Sequence, residues 1–222
     1  MDRITTGIPG LDEVLDGGLP RGHITLVAGP PGTGKTVLAM QVAFHTVGRG
    51  GHSLVLTGVA DGGAKLAGYL EGLRYFDPQA LGNRIQLHSI QQLVSRDGLE
   101  ATLGEIRRCV TREGVDLLII DSLSSIHSLA GDSRAVHRFL HKLGTALYML
   151  GCTGILIQDH CWGEAAAAER TIGDTVLELE APLDGWRESR WLRVIKMRGA
   201  DPLGGLHPFD ITAAGVTVYP KR

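Results

Sequence analysis

The sequence predicts an α/β protein whose mostly parallel sheet is flanked by helices and extended by antiparallel hairpins. Two observations predict this fold class. Over the first two thirds of the chain, apolar runs rich in branched residues alternate with segments of helical spacing, as in the βα units of a parallel sheet. In the last third, strand patterns follow one another closely across tight-turn signals, which favours antiparallel pairing.

The composition is that of an ordinary globular protein. The 222 residues suffice for one large core, and we expect a single domain over residues 1–222. Apolar residues make up 43% and charged residues 21%, and neither a membrane-spanning run nor a secretion signal is present. Because the net charge is −2, we do not expect nucleic acid as a partner, and because no apolar run could cross a bilayer, we do not expect a membrane. Cys109, Cys152 and Cys161 lack C-x-x-C spacing and indicate free thiols in a reducing cytoplasm.

The first elements alternate with short turns between them. A short helix opened by Pro9 and ended by Gly17-Gly18 comes first. Four apolar runs and one alternating run then predict strands at residues 23–28, 53–57, 84–88, 115–121 and 153–158. Apolar positions at helical spacing predict helices at residues 37–47, 61–72, 98–112 and 133–150. Strands and helices in this order form a parallel sheet with helices on both faces.

Two hairpins follow in the last third of the chain. Residues 174–179 and 189–198 predict strands around Leu183-Asp184-Gly185-Trp186, where Asp-Gly is a tight-turn signal. Residues 207–212 and 215–219 predict a second hairpin around Ala213-Ala214. We expect these four strands to extend the sheet in the antiparallel sense.

A phosphate-binding loop lies between the first strand and the helix that follows it. The loop has the pattern G-x-x-x-x-G-K-[ST] and consists of Gly29, Pro30, Pro31, Gly32, Thr33, Gly34, Lys35 and Thr36. Its backbone N–H groups and the helix N-terminus attract phosphate, while Lys35 reaches the β- and γ-phosphates. The Thr36 hydroxyl coordinates Mg²⁺ in this pattern. The flanking strand and helix distinguish the motif from a chance glycine-rich turn.

Asp121 is the second candidate in the predicted site. It ends the strand 115–121 at the carboxyl edge of the sheet, where ligands of α/β proteins bind. There it matches the aspartate that holds the Mg²⁺ of a nucleotide. Capping of the helix after it is the alternative, because aspartate is a favoured N-cap residue.

Three stretches resemble the KaiC-type ATPases of the RecA superfamily. They are TGIPGLDEVLDGGLPRG at residues 6–22, LLIIDS at 117–122 and KMRGADPLGGLHPFDIT at 196–212. The resemblance covers nearly the whole chain in the right order. It implies a RecA-like fold, ATP or ADP with Mg²⁺ at subunit interfaces, a homo-hexameric ring and a protein partner that the sequence does not identify. The clock protein of this family has two such domains in tandem and this chain has one, so clock function is not implied.

The same resemblance bears on hydrolysis. Family members often carry F-E-E after the second strand, where the glutamates prepare a water for attack on the γ-phosphate. Val59 and Ala60 stand in those places here, and Asp61 is the nearby carboxylate. Asp61 either acts as a shorter, displaced base or caps the next helix. Since base assistance is worth about 10²–10⁴ in rate, we expect tight ATP binding with slow or absent hydrolysis.

The resemblance implies roles for three further residues. Lys196 and Arg198, in the K-x-R-G stretch, would reach the γ-phosphate of the neighbouring subunit's nucleotide; two solvated charges on a strand are the alternative. Gln158, Asp159 and His160 follow the strand beside the Asp121 strand. RecA-like proteins place a γ-phosphate sensor there. Gln158 is the candidate, and a strand-end amide without a ligand is as good an interpretation.

Two other functions stay open at this point. An active ATPase of the same fold would use Asp61 or another carboxylate to orient water. A RecA-like DNA-binding protein would need a basic surface, which the net charge disfavours. The helix 133–150 carries a basic stripe, which is typical of a solvated face. The stripe consists of Arg134, His137, Arg138, His141 and Lys142.

Overall fold

The computed structural model describes residues 2–58, 62–159 and 169–222. The strands are β1 (Arg3–Ile4), β2 (Leu19–Pro20), β3 (Ile24–Ala28), β4 (Ser53–Thr57), β5 (Ile85–Ser89), β6 (Leu117–Asp121), β7 (Thr153–Gln158), β8 (Thr175–Glu180), β9 (Leu183–Asp184), β10 (Arg187–Glu188), β11 (Trp191–Met197), β12 (His207–Thr212) and β13 (Gly215–Val218). The helices are α1 (Leu11–Val14), α2 (Lys35–Gly48), α3 (Gly62–Leu70), α4 (Ile90–Glu113), α5 (Leu123–Ala130) and α6 (Ser133–Leu150). Among the described residues, no helix combines the length and the apolar character of a membrane span.

One sheet of nine strands organises the molecule, in the order β13-β12-β11-β8-β3-β7-β6-β4-β5. The strands from β5 to β8 in this order are parallel, and β11, β12 and β13 continue the sheet in the antiparallel sense. The predicted α/β fold with an antiparallel extension is confirmed. The prediction that β8 is antiparallel is wrong. The Asp174 N–H donates to the Ile24 carbonyl at 2.9 Å, so β8 starts beside the start of β3 and runs with it.

The sheet buries side chains on both faces. Val27 and Ile119 belong to an apolar layer with α1 and α2, whereas Leu26 and Leu118 belong to the layer with α4, α5 and α6. Neighbouring residues of a strand point to opposite faces. The nearly continuous apolar runs of β3 and β6 therefore supply both layers at once, as expected of strands covered on both sides.

The helices between the strands differ from prediction in two places. α4 begins at Ile90, where the Ser89 hydroxyl accepts a hydrogen bond from the Gln92 N–H at 3.3 Å. Gly98, with φ 76° and ψ 175°, interrupts it, so the predicted helix 98–112 is its second half. α5 follows β6 directly and was not predicted. Both unpredicted segments are short, and a short segment carries little periodic signal.

The carboxyl-terminal hairpin is joined to α2 by the buried side chain of Gln41. The Val216 N–H donates to Gln41 Oε1 at 2.7 Å, and Gln41 Nε2 donates to the Val216 carbonyl at 3.3 Å. The amide thus takes the place of a strand partner for the edge strand β13. On the same hairpin, the Ile211 Cδ1 atom lies 2.3 Å from where a Cβ of Gly34 would be. The hairpin therefore packs directly against the glycine loop.

We predict that Gln41→Leu lowers the free energy of unfolding by about 2 kcal/mol, because it leaves two buried backbone groups of Val216 without partners. Urea unfolding without ligand measures this change. Gln92→Leu, at an exposed position of α4, is the matched control, with an expected change within about 0.5 kcal/mol. Equal stability of the two variants would show that the Gln41 contacts do not hold the hairpin.

Candidate functional site

The candidate site lies where β3, β6 and β7 end. The register pairs Ala28 with Gln158 and Asp121 with Ile157, so the segments after these three strands meet at one edge of the sheet. In open α/β sheets this carboxyl edge is where ligands bind. The structure therefore brings together the glycine loop, Asp121 and Asp159, which are far apart in sequence.

The loop bends through glycines that adopt left-handed backbone angles. Gly32 has φ 84° and Gly34 has φ 99°, values that residues with a Cβ rarely adopt. Between them Thr33 is buried, and its hydroxyl donates to the Pro30 carbonyl at 2.9 Å. Pro30, Pro31 and Gly32 are exposed. The loop thus presents its outer backbone to solvent and is closed on its inner side.

Lys35 is buried under the loop, with 5% of its side chain exposed. Its ammonium group donates to the carbonyl oxygens of Gly29 and Pro30, both at 2.8 Å. The same nitrogen lies 3.4 Å from Asp159 Oδ1. A buried ammonium group needs such partners, because burial without them is costly. Lys35 thus places a positive charge at this edge of the sheet, in contact with two backbone oxygens and near one carboxylate.

Thr36 and Asp121 form the adjacent polar pair. The Thr36 hydroxyl donates to Asp121 Oδ2 at 2.7 Å. Burial raises the pKa of Asp121 and the nearby Asp159 charge raises it further, whereas the Thr36 hydrogen bond and Lys35 lower it. A hydroxyl and a carboxylate in contact are the oxygen ligands that Mg²⁺ takes from a protein when phosphates and waters supply the rest. The described residues contain no cluster of three or more histidine, cysteine, aspartate or glutamate side chains that could hold a metal ion.

Gln158 and Asp159, at the end of β7, point to different surroundings. The Gln158 side chain is buried, and its Nε2 donates to Glu169, which also pairs with His127. Asp159, the next residue, faces Lys35. The sensing role of Gln158 stays a prediction, and its amide already has a protein partner. Sequence reasoning placed Asp159 beside the candidate Gln158 and assigned a role in the site neither to it nor to Glu169. The one available signal was a carboxylate directly after a buried strand.

An open cleft of about 680 Å³ adjoins the loop on the side of β8. Glu178 on β8 is buried in its wall, paired with Arg193 and 3.5 Å from Arg170. The lining residues are Pro30, Pro31, Gly32, Thr33, Asp159, Glu178, Glu180, Ala181, Pro182 and Glu188. The cleft gives a ligand on the loop room to extend toward β8 and the hairpin of β9 and β10.

Lys196 and Arg198 lie at the opposite edge of the sheet. Lys196 pairs with Val176 near the start of β8, and its ammonium group donates to the carbonyls of Arg170 and Gly173 at 3.1 and 2.6 Å. Arg198 Nη1 is 3.3 Å from Asp174 Oδ1. Partial burial and the Arg198 charge lower the pKa of Lys196. Neither residue belongs to the loop site of its own chain. Asp61, Val59 and Ala60 lie outside the described residues.

Comparison with known proteins points to one family. The model of the family described as "ATPase: KaiC" matches residues 4–222. The circadian clock oscillator protein KaiC of Picosynechococcus sp. is 28% identical over 232 residues, which cover 99% of this chain and 45% of that protein. The UPF0273 protein MK0039 of Methanopyrus kandleri is 29% identical over 244 residues, covering 100% of this chain and 94% of that protein.

A solved structure agrees with these relatives. The crystal structure of the KaiC-like protein PH0186 from the hyperthermophilic archaeon Pyrococcus horikoshii matches with a TM-score of 0.84 and 26% identity, covering 99% of each chain. The resemblance and the RecA-like fold predicted from the sequence are confirmed. The chain spans less than half of the length of the clock proteins that it matches.

We predict opposite effects on stability from the two members of the Thr36–Asp121 pair. Thr36→Val removes the hydroxyl from a half-buried carboxylate and is expected to lower the free energy of unfolding by about 2 kcal/mol. Asp121→Asn removes this half-buried charge and keeps an oxygen acceptor, so we expect no loss and a gain of up to about 1 kcal/mol. Urea unfolding at pH 7 without nucleotide or divalent cations measures both.

The control for this pair is Thr111→Val, an exposed helix position whose hydroxyl donates to the Arg107 carbonyl at 2.9 Å. Because the pKa of Asp121 is raised on folding, its contribution to stability declines as pH rises above the ordinary pKa of an aspartate. Asp121→Asn should remove that decline. A large destabilisation by Asp121→Asn would contradict the account of a carboxylate disfavoured by burial.

Proposed function

Because the chain belongs to the KaiC family of ATPases, we propose that it binds ATP with Mg²⁺ between the subunits of a homo-oligomeric ring and acts as a regulatory or assembly module. The observation that carries this proposal is the cluster of Lys35, Thr36 and Asp121 at one sheet edge. The cluster supplies a phosphate-binding cation and two oxygen ligands next to an open cleft. The proposed ring is a hexamer, by resemblance to the family, and is proposed to work in the cytoplasm with a protein partner.

The loop supports phosphate binding in three ways. Gly32 and Gly34 give the backbone angles that turn N–H groups outward. The helix α2 begins at Lys35 and directs its N-terminus at the same place. Lys35 supplies the charge. For the ion, Thr36 would coordinate directly and Asp121 through water, and the bound Mg²⁺ would neutralise phosphate charge.

The placement of Lys196 and Arg198 supports an interface role. The two residues lie near the amino end of the parallel strands, and β3 has five residues. At about 3.3 Å per residue, the loop at the other end is about 16 Å away, too far for the nucleotide of the same chain. Arg198 is 58% exposed, so a second copy could place its nucleotide against it. This supports assembly with nucleotide at the interface.

We also propose that the chain hydrolyses bound ATP slowly or not at all. Val59 and Ala60 have no proton acceptor, and Asp61 is displaced by one position. The competing function is an active ATPase that uses Asp61, and the description of the matched family favours it.

We predict that ATP shifts the purified chain from a small species to a ring, with ADP and no nucleotide as comparisons. Size-exclusion chromatography with light scattering measures the mass, and a phosphate assay on the same sample follows turnover, which we expect well below about 1 per second. Lys35→Ala should abolish nucleotide binding and assembly together. Turnover near 1 per second that disappears in Asp61→Ala would instead establish the active ATPase.

We predict that Arg198→Ala abolishes ATP-dependent assembly and leaves the fold intact, because this side chain is exposed and, within the described part of the chain, its ion pair is with Asp174. Lys196→Ala should lose assembly too, but it also releases the carbonyls of Arg170, Thr171 and Gly173 and should lower the melting temperature. Lys142→Ala, an exposed lysine of α6 paired with Glu100, is the control. Normal assembly of Arg198→Ala would remove the interface role.

A further inference from the structure

We propose that Asp159 sets the preference of the loop for ATP or ADP, as a built-in counter-ion of Lys35 that the terminal phosphate must displace. This inference rests on the proposed function, since it assumes that the loop binds adenine nucleotides. It assigns a specificity-determining role to a residue that neither the loop motif nor the Asp121 strand contains.

Each carboxylate oxygen of Asp159 contacts another side chain, and these contacts fix its position. Oδ1 lies 3.4 Å from Lys35 Nζ, and Oδ2 accepts a hydrogen bond from the Ser124 hydroxyl at 2.9 Å. The Ser124 hydroxyl in turn lies 2.5 Å from the Ser122 hydroxyl, directly after β6. With 32% of its side chain exposed, Asp159 faces the cleft but is fixed by the ends of two neighbouring strands. Its negative charge therefore stays at the loop.

Lys35 has no donor to spare for a phosphate. An ammonium group has three N–H bonds, and two of them go to the backbone oxygens of Gly29 and Pro30. The third faces Asp159. The two carbonyls belong to the loop itself, so the carboxylate is the partner that a phosphate oxygen can replace. Nucleotide binding then exchanges one anion for another at Lys35.

The exchanged carboxylate stays close to the incoming phosphates. The hydrogen bond from Ser124 and the position of Asp159 directly after β7 keep this carboxylate at the same edge. Its negative charge also raises the pKa of the nearby Asp121. Repulsion between like charges grows with the charge of the ligand and is strong at partly buried sites. ATP carries one more phosphate toward Lys35 than ADP does. The carboxylate therefore disfavours ATP more than it disfavours ADP.

The test measures the ratio of two dissociation constants, Kd for ATP over Kd for ADP, by calorimetric titration of the full chain with excess Mg²⁺. A β,γ-imido analogue of ATP is titrated alongside, so that turnover does not affect the result. Asp159→Asn keeps the size and the oxygen that accepts from Ser124 and removes the charge. We expect it to lower the ratio about tenfold. Ser124→Ala, which keeps the charge and frees the carboxylate, should lower the ratio less.

The control is Glu113→Gln, which removes one exposed carboxylate at the end of α4, away from the loop. It should leave the ratio unchanged, and melting without ligand should show that all variants fold. The inference is overturned if the ratio falls less than threefold in Asp159→Asn, or if this variant binds ATP more weakly than the unaltered chain does. The proposed function still stands in that case, provided that the unaltered chain binds ATP and ADP. An unaltered chain that binds neither nucleotide overturns both.

Discussion

The site depends on the hydrogen-bond partners of the buried ammonium group of Lys35. Lys35 lies under the loop with little exposure, and such a charge is tolerated only where oxygens surround it. The carbonyls of Gly29 and Pro30 supply two contacts because the glycine bend turns them inward. The close approach of Ile211 to the loop requires a residue without a Cβ at Gly34. The loop, the helix α2 and the carboxyl-terminal hairpin therefore pack as one unit around the contacts of Lys35.

The parallel sheet separates two kinds of charge. At the carboxyl edge, the register places Asp121 and Asp159 beside the loop, so their negative charges lie near the ammonium group of Lys35. At the amino edge, Lys196 and Arg198 meet Asp174 and the carbonyls before it. In the proposed assembly, the exposed Arg198 of one copy would face the loop edge of the next copy, head to tail. Such contacts close into rings when the rotation between copies permits it.

Much of this arrangement could be predicted from local patterns. The strands 53–57 and 153–158 and the helix 133–150 have the predicted bounds, because apolar runs and helical spacing are properties of neighbouring residues. The segments that were missed are too short to show such patterns clearly. α5 is short, and the first half of α4 is short and is separated from the second by Gly98. The parallel direction of β8 depends on its partner β3, about 150 positions earlier.

The sequence by itself determined the glycine loop, its lysine and threonine, the alternation of strands and helices, and the family to which the chain belongs. These follow from residue types at short, fixed spacing. Only the tertiary structure decided which carboxylate meets Lys35. Two adjacent residues at the end of β7 diverge: Gln158 turns to the buried Glu169 and Asp159 to the loop. Successive side chains of a strand point to opposite faces, and what each meets depends on strands that the local pattern does not specify.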